Sequence, residues 1–428
     1  MTDARTQAAI ETVIRLESAR LIAGLARYTG DIGLAEDLAQ DAVVAALEQW
    51  PAEGVPRNPG AWLTTVAKRR AIDFFRRSSD LSRKYAELGR SLAAAGGEAV
   101  TPDFDQAFSD DIDDDLLRLI FTACHPVLSV PSRVALTLRL LGGLTTAEIA
   151  RAYLVPEPAI AQRIVRAKKA LSAASVPFEV PSSDQRPVRL ASVLEVIYLI
   201  FNEGYAATAG DDWMRPALCA EAVRLGRVLA QLAPAEPEVQ GLVALLEIQA
   251  SRIPARTDAA GEPVLLLDQD RSRWDRLLIN RGLAALQRCT DLRGERGPYA
   301  LQASIAACHA RAFHPEETDW AEIVALYEVL AEVMPSPVVE LNRAVAISMA
   351  FGPEAGLQLV DQLTAEPSLR SYHLLPSVRG DLLRRLGREE EARAEFARAA
   401  ALTNNERERR LSAERAREPS ADQDLPNT

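Results

Sequence analysis

Aromatic residues are scarce in this 428-residue chain; Trp, Tyr and Phe together make up only 5%. Sheets draw on aromatic and β-branched side chains, whereas Ala, Leu and Arg are abundant here, so helix is expected over sheet. Cysteine is also sparse. Cys124, Cys219, Cys289 and Cys308 are widely spaced, with no CxxC pair. That pattern does not make a disulfide framework, and buried free thiols are expected. Cys124-His125 and Cys308-His309 are adjacent pairs, and neighbours on a helix point about 100° apart, a poor start for a zinc site. No apolar run approaches the ~18 residues of a membrane span. The N-terminal MTDARTQAAIETVIRLE lacks the apolar core of a secretory signal. A cytoplasmic protein without membrane contact is the expectation. A phosphate loop, a nucleophile elbow and an HExxH motif are all missing. No catalytic residue, metal site or cofactor is therefore assigned, and an enzyme is not expected.

What is present divides unevenly along the chain. The length allows roughly two to four domains, and 48% hydrophobic residues give each a core. The net charge is −11, which argues against a wholly basic surface but permits local basic patches. Two such patches occur. Residues 60–77, GAWLTTVAKRRAIDFFRR, carry Lys68, Arg69, Arg70, Arg76 and Arg77 against Asp73, a local charge of +4. Residues 157–171 carry Arg163, Arg166, Lys168 and Lys169 against Glu157, a local +3. Between them, from Glu98 to Asp115, lie eight acids and no base, the composition of a solvated connector.

Local signals place these patches on helices. Leu34, Leu38, Val44 and Leu47 form part of an apolar stripe at helical spacing. The Pro- and Gly-rich 51–60 is a loop, with a new helix starting near Gly60. Further on, Thr145 or Thr146 can cap a short helix that ends before Pro156. A second helix starts near Glu157 and tolerates Pro158 in its first turn. Its Ile160, Ile164, Ala167 and Leu171 share one buried face, leaving Gln162, Arg163, Arg166 and Lys168 elsewhere. A short helix, a tight turn and a basic second helix fit a helix-turn-helix DNA reader. A solvated basic face on an ordinary helical hairpin is the plainer alternative. In 60–77 the cations stand beside Trp62, Phe74 and Phe75, and rings beside cations suit unstacked bases as well as phosphates. At least one of Phe74 and Phe75 is expected in the core.

From 188 onward the pattern is helix after helix. Leu190, Val193, Leu194, Ile197, Tyr198 and Phe201 share a face, as do Leu218, Ala222, Leu225, Leu229 and Leu232. Thr318 is a candidate N-cap for a helix carrying Trp320, Ile323, Tyr327 and Leu330. Gly352 and Gly387, 35 residues apart, each punctuate a helical hairpin, close to the ~34-residue tetratricopeptide period. DQDRSRWD (268–275) reads as an ion-pair cluster at a helix start, and Glu203 and Tyr205 of FNEGY as capping and packing groups.

The stretches LAEDLAQDAVVAALEQW (34–50), NPGAWLTTVAKRRAIDFFRR (58–77) and LTTAEIARAYLVPEPAIAQRIVRAKKAL (144–171) resemble, in order and spacing, a bacterial sigma factor of the extracytoplasmic-function group of the sigma-70 family. The resemblance covers about residues 8–173. It implies core RNA polymerase, through its β′ clamp and β flap, and promoter DNA as partners. Glu36, Asp37, Gln40 and Asp41 would face polymerase. Trp62, Lys68, Arg69, Arg76 and Arg77 would hold the −10 element, and Gln162, Arg163, Arg166 and Lys168 the −35 element. The group often has Asn where this chain has Arg69 and Lys where it has Ala161, so the group's own promoter contacts at those two positions do not carry over, and Arg69 is expected on a phosphate. FNEGY, DQDRSRWD, GPYALQASIAACHA and SPVVELNRAVA resemble blocks of a subgroup with a large helical, tetratricopeptide-like C-terminal extension implicated in controlling the factor.

The expected fold is therefore all-α. Sigma region 2 would span 1–77, an acidic flexible linker 78–111 and region 4, with the helix-turn-helix, 112–173. A second linker (174–187), a helical regulatory extension (188–415) and a disordered tail (416–428) would follow. A regulatory protein or ligand at the extension is left open. The competing readings are a one-component helix-turn-helix regulator with a ligand-binding helical half, and an enzyme fused to a DNA-binding module. The first needs a dimer interface and palindromic half-sites, and 173–188 offers no evident dimerisation helix.

Overall fold

The computed structural model describes residues 4–89, 112–208, 210–292 and 296–417. Among these there are eighteen α-helices and no β-strand, as the composition predicts. The chain forms two compact units, Met1–Val196 and Ile197–Thr428.

The first unit opens with α1 (Ala4–Thr29), α2 (Ile32–Glu53) and α3 (Pro59–Gly89). Asp31 caps α2 by accepting from the Leu34 amide at 3.0 Å. The buried face of α2 is built mostly from small residues: Ala35, Ala39, Ala42, Ala45 and Ala46, with Leu38 and Trp50. Alanines let neighbouring helix backbones approach closely, and α2 packs against both α1 and α3. The apolar stripe predicted from the larger side chains is thus only half right. Leu38 is buried, whereas Val44 and Leu47 are 52% and 37% exposed. Helix α3 runs on to Gly89, so 78–89, read as linker, is helical.

The second half of this unit holds α4 (Ile112–Ala123), α5 (Val130–Leu140), α6 (Thr146–Ala152) and α7 (Glu157–Ala173). Helix α4 packs on α1, and Asp115 of α4 pairs with Arg27 of α1 at 3.4 Å and with Arg118 at 2.5 Å. Asp115 is therefore a buried structural acid rather than part of a solvated connector. Burial pushes its carboxyl up, against the opposing pull of the two arginines. The remaining acids of that run from Glu98 to Asp111 lie outside the described residues.

Helix α8 (Arg186–Tyr205) crosses from the first unit into the second. Its first half is fastened to α4 and α5. Ser192 donates to the Cys124 carbonyl at 2.6 Å and Arg189 to the Phe121 carbonyl at 2.8 Å. Arg133 pairs with Glu195 at 3.0 Å and also reaches Ser192. These contacts hold residues 186–196, the start of the expected extension, to the first compact unit. Cys124 is fully buried among them, and burial pushes its thiol up to about 11.

The second unit comprises the rest of α8 and helices α9 (Pro216–Leu232), α10 (Pro237–Ala250), α11 (Arg276–Asp291), α12 (Pro298–Arg311), α13 (Trp320–Val333), α14 (Pro337–Phe351), α15 (Pro353–Leu363), α16 (Leu374–Arg385), α17 (Glu389–Leu402) and α18 (Glu406–Arg417). Successive helices pack on one another from α13 to α18. The turns predicted at Gly352 and Gly387 are there, with φ of 101° and 74°, values that favour glycine. Asp319, not Thr318, caps α13, accepting from the Glu322 amide at 2.9 Å. Thr318 instead accepts from the buried Arg271 at 3.1 Å.

DQDRSRWD is likewise held by caps and carbonyls more than by ion pairs. Asp270 and Asp275 cap the short turn 271–273 and α11 respectively. Arg271 donates to the carbonyls of His309 and Ala312 at 3.0 Å each. Glu203 of FNEGY pairs with Arg215 and accepts from Thr208, while the Arg256 guanidinium lies 3.6 Å over the Tyr205 ring. The chain end returns to this region, where the Asn405 side chain donates to the carbonyls of Ala207 and Asp212 at 3.0 and 2.9 Å.

At the centre of the unit α10 and α12 touch backbone to backbone. A Cβ on Gly241 would sit 2.7 Å from the Ala300 nitrogen. Gly241→Ala is expected to push the two helices apart and destabilise the unit by about 1–3 kcal/mol. Thermal unfolding of the full chain reads this, and an unchanged midpoint would contradict it.

Candidate nucleic-acid and polymerase interface

Three helices of the first unit carry the residues singled out in the sequence. On α2, Asp37, Gln40 and Asp41 are exposed and follow one another around one side of the helix. The exposed Val44 continues that stripe. This gives an acidic surface with an apolar end, a combination suited to docking on another protein. Glu36 does not belong to it. It is buried, and its carboxylate accepts from Arg139 Nε of α5 at 2.6 Å and pairs with Lys168 of α7. Gln40 Nε2 also donates to it at 3.2 Å. Burial works to raise the Glu36 pKa, but the two cations outweigh it and hold the carboxyl below its ordinary value.

On α3, Asn58 caps the helix, accepting from the Ala61 amide at 3.1 Å. Leu63, Ala67 and Ala71 are buried, so every fourth residue faces inward. Arg69, Arg70, Arg76 and Arg77 are exposed, and Lys68 is half-buried. Arg76 also pairs with Asp73 at 3.3 Å in an exposed geometry, an arrangement that yields readily to a phosphate. Trp62 is half-buried and packs edge-on against the buried Trp50, ring centroids 5.3 Å apart. Phe75 is half-buried and packs against Tyr28 at 5.8 Å, which makes it the inward member of the pair. Phe74 is the ring left open, 45% exposed among the arginines. Sequence reasoning did not separate it from Phe75; its place beside the exposed Arg70 and Arg77 is the signal that distinguishes it.

Helices α6 and α7 form the helix-turn-helix. Thr145 caps α6 in a capping box: the Glu148 amide donates to its hydroxyl at 3.1 Å, and the Thr145 amide donates back to Glu148 at 2.7 Å. Thr146 donates to Glu157 at 2.9 Å, tying the start of one helix to the start of the next. The turn passes through Leu154 at φ 49°, a left-handed conformation rare for leucine. Ile160, Ile164, Ala167 and Leu171 are buried, as predicted. Gln162 and Arg166, one turn apart, are exposed with Val165 and Lys169, and Arg163 is half-buried. Lys168, placed with the DNA-facing residues on sequence grounds, points to Glu36 instead.

Among the described residues no group of His, Cys, Asp and Glu is arranged to hold a metal ion, and no helix is long and apolar enough to cross a membrane. All four cysteines are buried free thiols.

A helix-turn-helix with a polar outer face, preceded by an acidic helix and a basic aromatic one, defines a DNA-binding transcription protein. Residues 14–80 match Sigma-70 region 2, residues 118–171 match Sigma-70 region 4, and residues 189–290 match a family of unknown function, DUF6596. A Rhizobium meliloti (strain 1021) protein, named Uncharacterized protein R00370, is 46% identical over 402 residues, covering 92% of each chain. No solved structure matches the chain.

The chain belongs to the sigma-70 family and carries a C-terminal extension. Its role is that of an RNA polymerase sigma factor, with core polymerase and promoter DNA as partners.

Proposed function

We propose that the chain is a cytoplasmic sigma factor of the extracytoplasmic-function group, regulated by its own helical, tetratricopeptide-like C-terminal domain. The observation that carries this reading is the pairing of two modules in fixed order. An exposed acidic helix and basic helix come first, and a helix-turn-helix with Gln162 and Arg166 outward comes second. Asp37, Gln40 and Asp41 dock on the β′ clamp, and the second module docks on the β flap. Helix α3 and the loop before it hold the non-template −10 strand, with Lys68, Arg69, Arg76 and Arg77 on phosphates and Phe74 and Trp62 against unstacked bases. Helix α7 enters the major groove at the −35 element, where arginine forks match guanine edges.

Each lost phosphate contact releases one fewer counterion. Arg69→Ala, Arg76→Ala and Arg77→Ala should each lower the salt slope of promoter binding by about one, uniformly across promoters. A slope unchanged in all three would remove α3 from the DNA interface.

Regulation by the extension is tested by comparing the full chain with a truncation in run-off transcription. The cut belongs after Val196. A cut near 180 would also strip Arg189, Ser192 and Glu195 from the helix-turn-helix module. Equal transcript from both forms at every promoter would refute a regulatory role.

A further inference from the structure

Arginines elsewhere in the second unit pair with acids: Arg215 with Glu203, Arg227 with Glu247 at 2.7 Å and Arg379 with Glu395 at 3.0 Å. Arg252, Arg256 and Arg271 are more than nine-tenths buried and do not follow that rule. Their hydrogen bonds go to neutral acceptors. Arg252 donates to the Gln249 side chain at 3.0 Å, Arg256 to the Tyr205 carbonyl, and Arg271 to the carbonyls of His309 and Ala312 and to Thr318. The acids nearest in charge are engaged elsewhere or face water. Glu317 accepts from the amides of Phe313 and His314, Glu408 pairs with His373 and accepts from Thr403, and Glu316 is exposed. Buried cations without a counter-charge are costly. Burial, and then the charge of Arg252, pull Arg271 below its ordinary value.

Two of these arginines share one indole: the guanidinium carbons of Arg252 and Arg271 lie 5.4 and 5.1 Å from the Trp274 ring centroid. His309 of α12 joins them. Burial, and then the charges of Arg252 and Arg271, push its imidazole down to about 3, so it stays neutral. Four buried polar atoms of this cluster have no hydrogen-bond partner: Nε of Arg252, Nε of Arg271, Nε1 of Trp274 and Nδ1 of His309. The first three carry N–H donors, and the neutral imidazole can place its proton on the fourth. A purely structural cluster leaves no such donors empty. Cations without an anion and donors without an acceptor share one complement, a negative group with several oxygens. Arg252, Arg271 and Trp274 all lie between α10 and α11, on a segment that holds only three-residue helical turns. A connection, rather than a long helix, therefore walls one side of the cluster.

We propose that the Arg252–Arg271–Trp274–His309 cluster is a binding site for a small oxyanion, the carboxylate or phosphate of a soluble metabolite. Guanidinium forks match both groups, and the indole N–H adds a further donor. A bound anion ties the segment between α10 and α11 to α12. For its role the inference rests on the proposed regulation by the extension, which it supplies with a ligand class, but binding is measured without polymerase.

Inorganic phosphate and malonate, titrated separately into the full chain at constant ionic strength with chloride as the balancing salt, test the site by calorimetry. At least one of them should bind saturably, one per chain, and the stronger probe tells phosphate from carboxylate. Arg252→Gln should weaken that binding about tenfold or more, the weight of a charge-assisted hydrogen bond. Trp274→Phe, which keeps the ring and removes the indole N–H, should weaken it by a smaller factor and guards against a folding defect in the first variant. Failure of both probes to bind at millimolar concentration, or binding equally strong in both variants, overturns the site. In run-off transcription the bound probe should change the transcript yield of the unaltered chain but not that of Arg252→Gln. Saturable, Arg252-dependent binding that leaves transcription unchanged upholds the site and defeats the regulatory reading instead.

Discussion

Reversing two charges on α2, Asp37→Lys with Asp41→Lys, is expected to cut affinity for core polymerase by about a hundredfold or more. Both carboxylates are exposed, so the fold loses little by the exchange. A basic docking face would then meet lysines where it had met acids, and like charges brought together across an interface cost several kcal/mol. Competition binding against a labelled chain reads the loss, and an unchanged unfolding midpoint confirms that the fold is intact. Affinity equal to that of the parent chain would remove this face from the interface. The buried neighbour Glu36 should behave differently, because its loss acts on the pairing with Arg139 and Lys168 rather than on the exposed surface.

The second large effect belongs to α7. Arg163→Ala and Arg166→Ala should each cost about 1–3 kcal/mol in promoter binding by the holoenzyme where the side chain reads a base, and the loss should differ between promoters. Arg166 is the more exposed of the two and should show the greater selectivity. The buried stripe Ile160, Ile164, Ala167 and Leu171 holds the helix in place without either arginine, so folding is spared. Binding assays over a panel of −35 sequences distinguish the outcomes. A uniform loss means phosphate contact, and no loss at either position means that α7 does not read the element.

Features fixed by local chemistry were legible in the sequence. The cap at Thr145, the break before Pro156, the inward stripe of α7 and the turns at Gly352 and Gly387 each follow from a few neighbouring residues. Features fixed by distant partners were not. The buried face of α2 is built of alanines, which read as neutral in a hydrophobic pattern, so Val44 and Leu47 stood out although they face outward. Glu36 looked like its neighbour Asp37 because the cations that bury it lie about a hundred residues away. Trp62 and Phe75 looked like Phe74 until Trp50 and Tyr28 were placed against them. The Pro- and Ser-rich 176–187 suggested a domain boundary, but the fastening of Arg189, Ser192 and Glu195 to the first compact unit, which reaches Val196, depends on partners some sixty to seventy residues away. For the same reason Thr318, a sound cap by sequence, serves Arg271 while Asp319 caps the helix.

As a sigma factor, this chain should give core polymerase its promoter specificity. Run-off transcription with the cognate core enzyme, with and without the purified chain, tests it most directly. Discrete transcripts are expected only when the chain is present, and they should be lost together with polymerase binding in the Asp37→Lys, Asp41→Lys variant. A chain that binds duplex DNA tightly by itself, yet never yields a specific transcript with core enzyme, would contradict it.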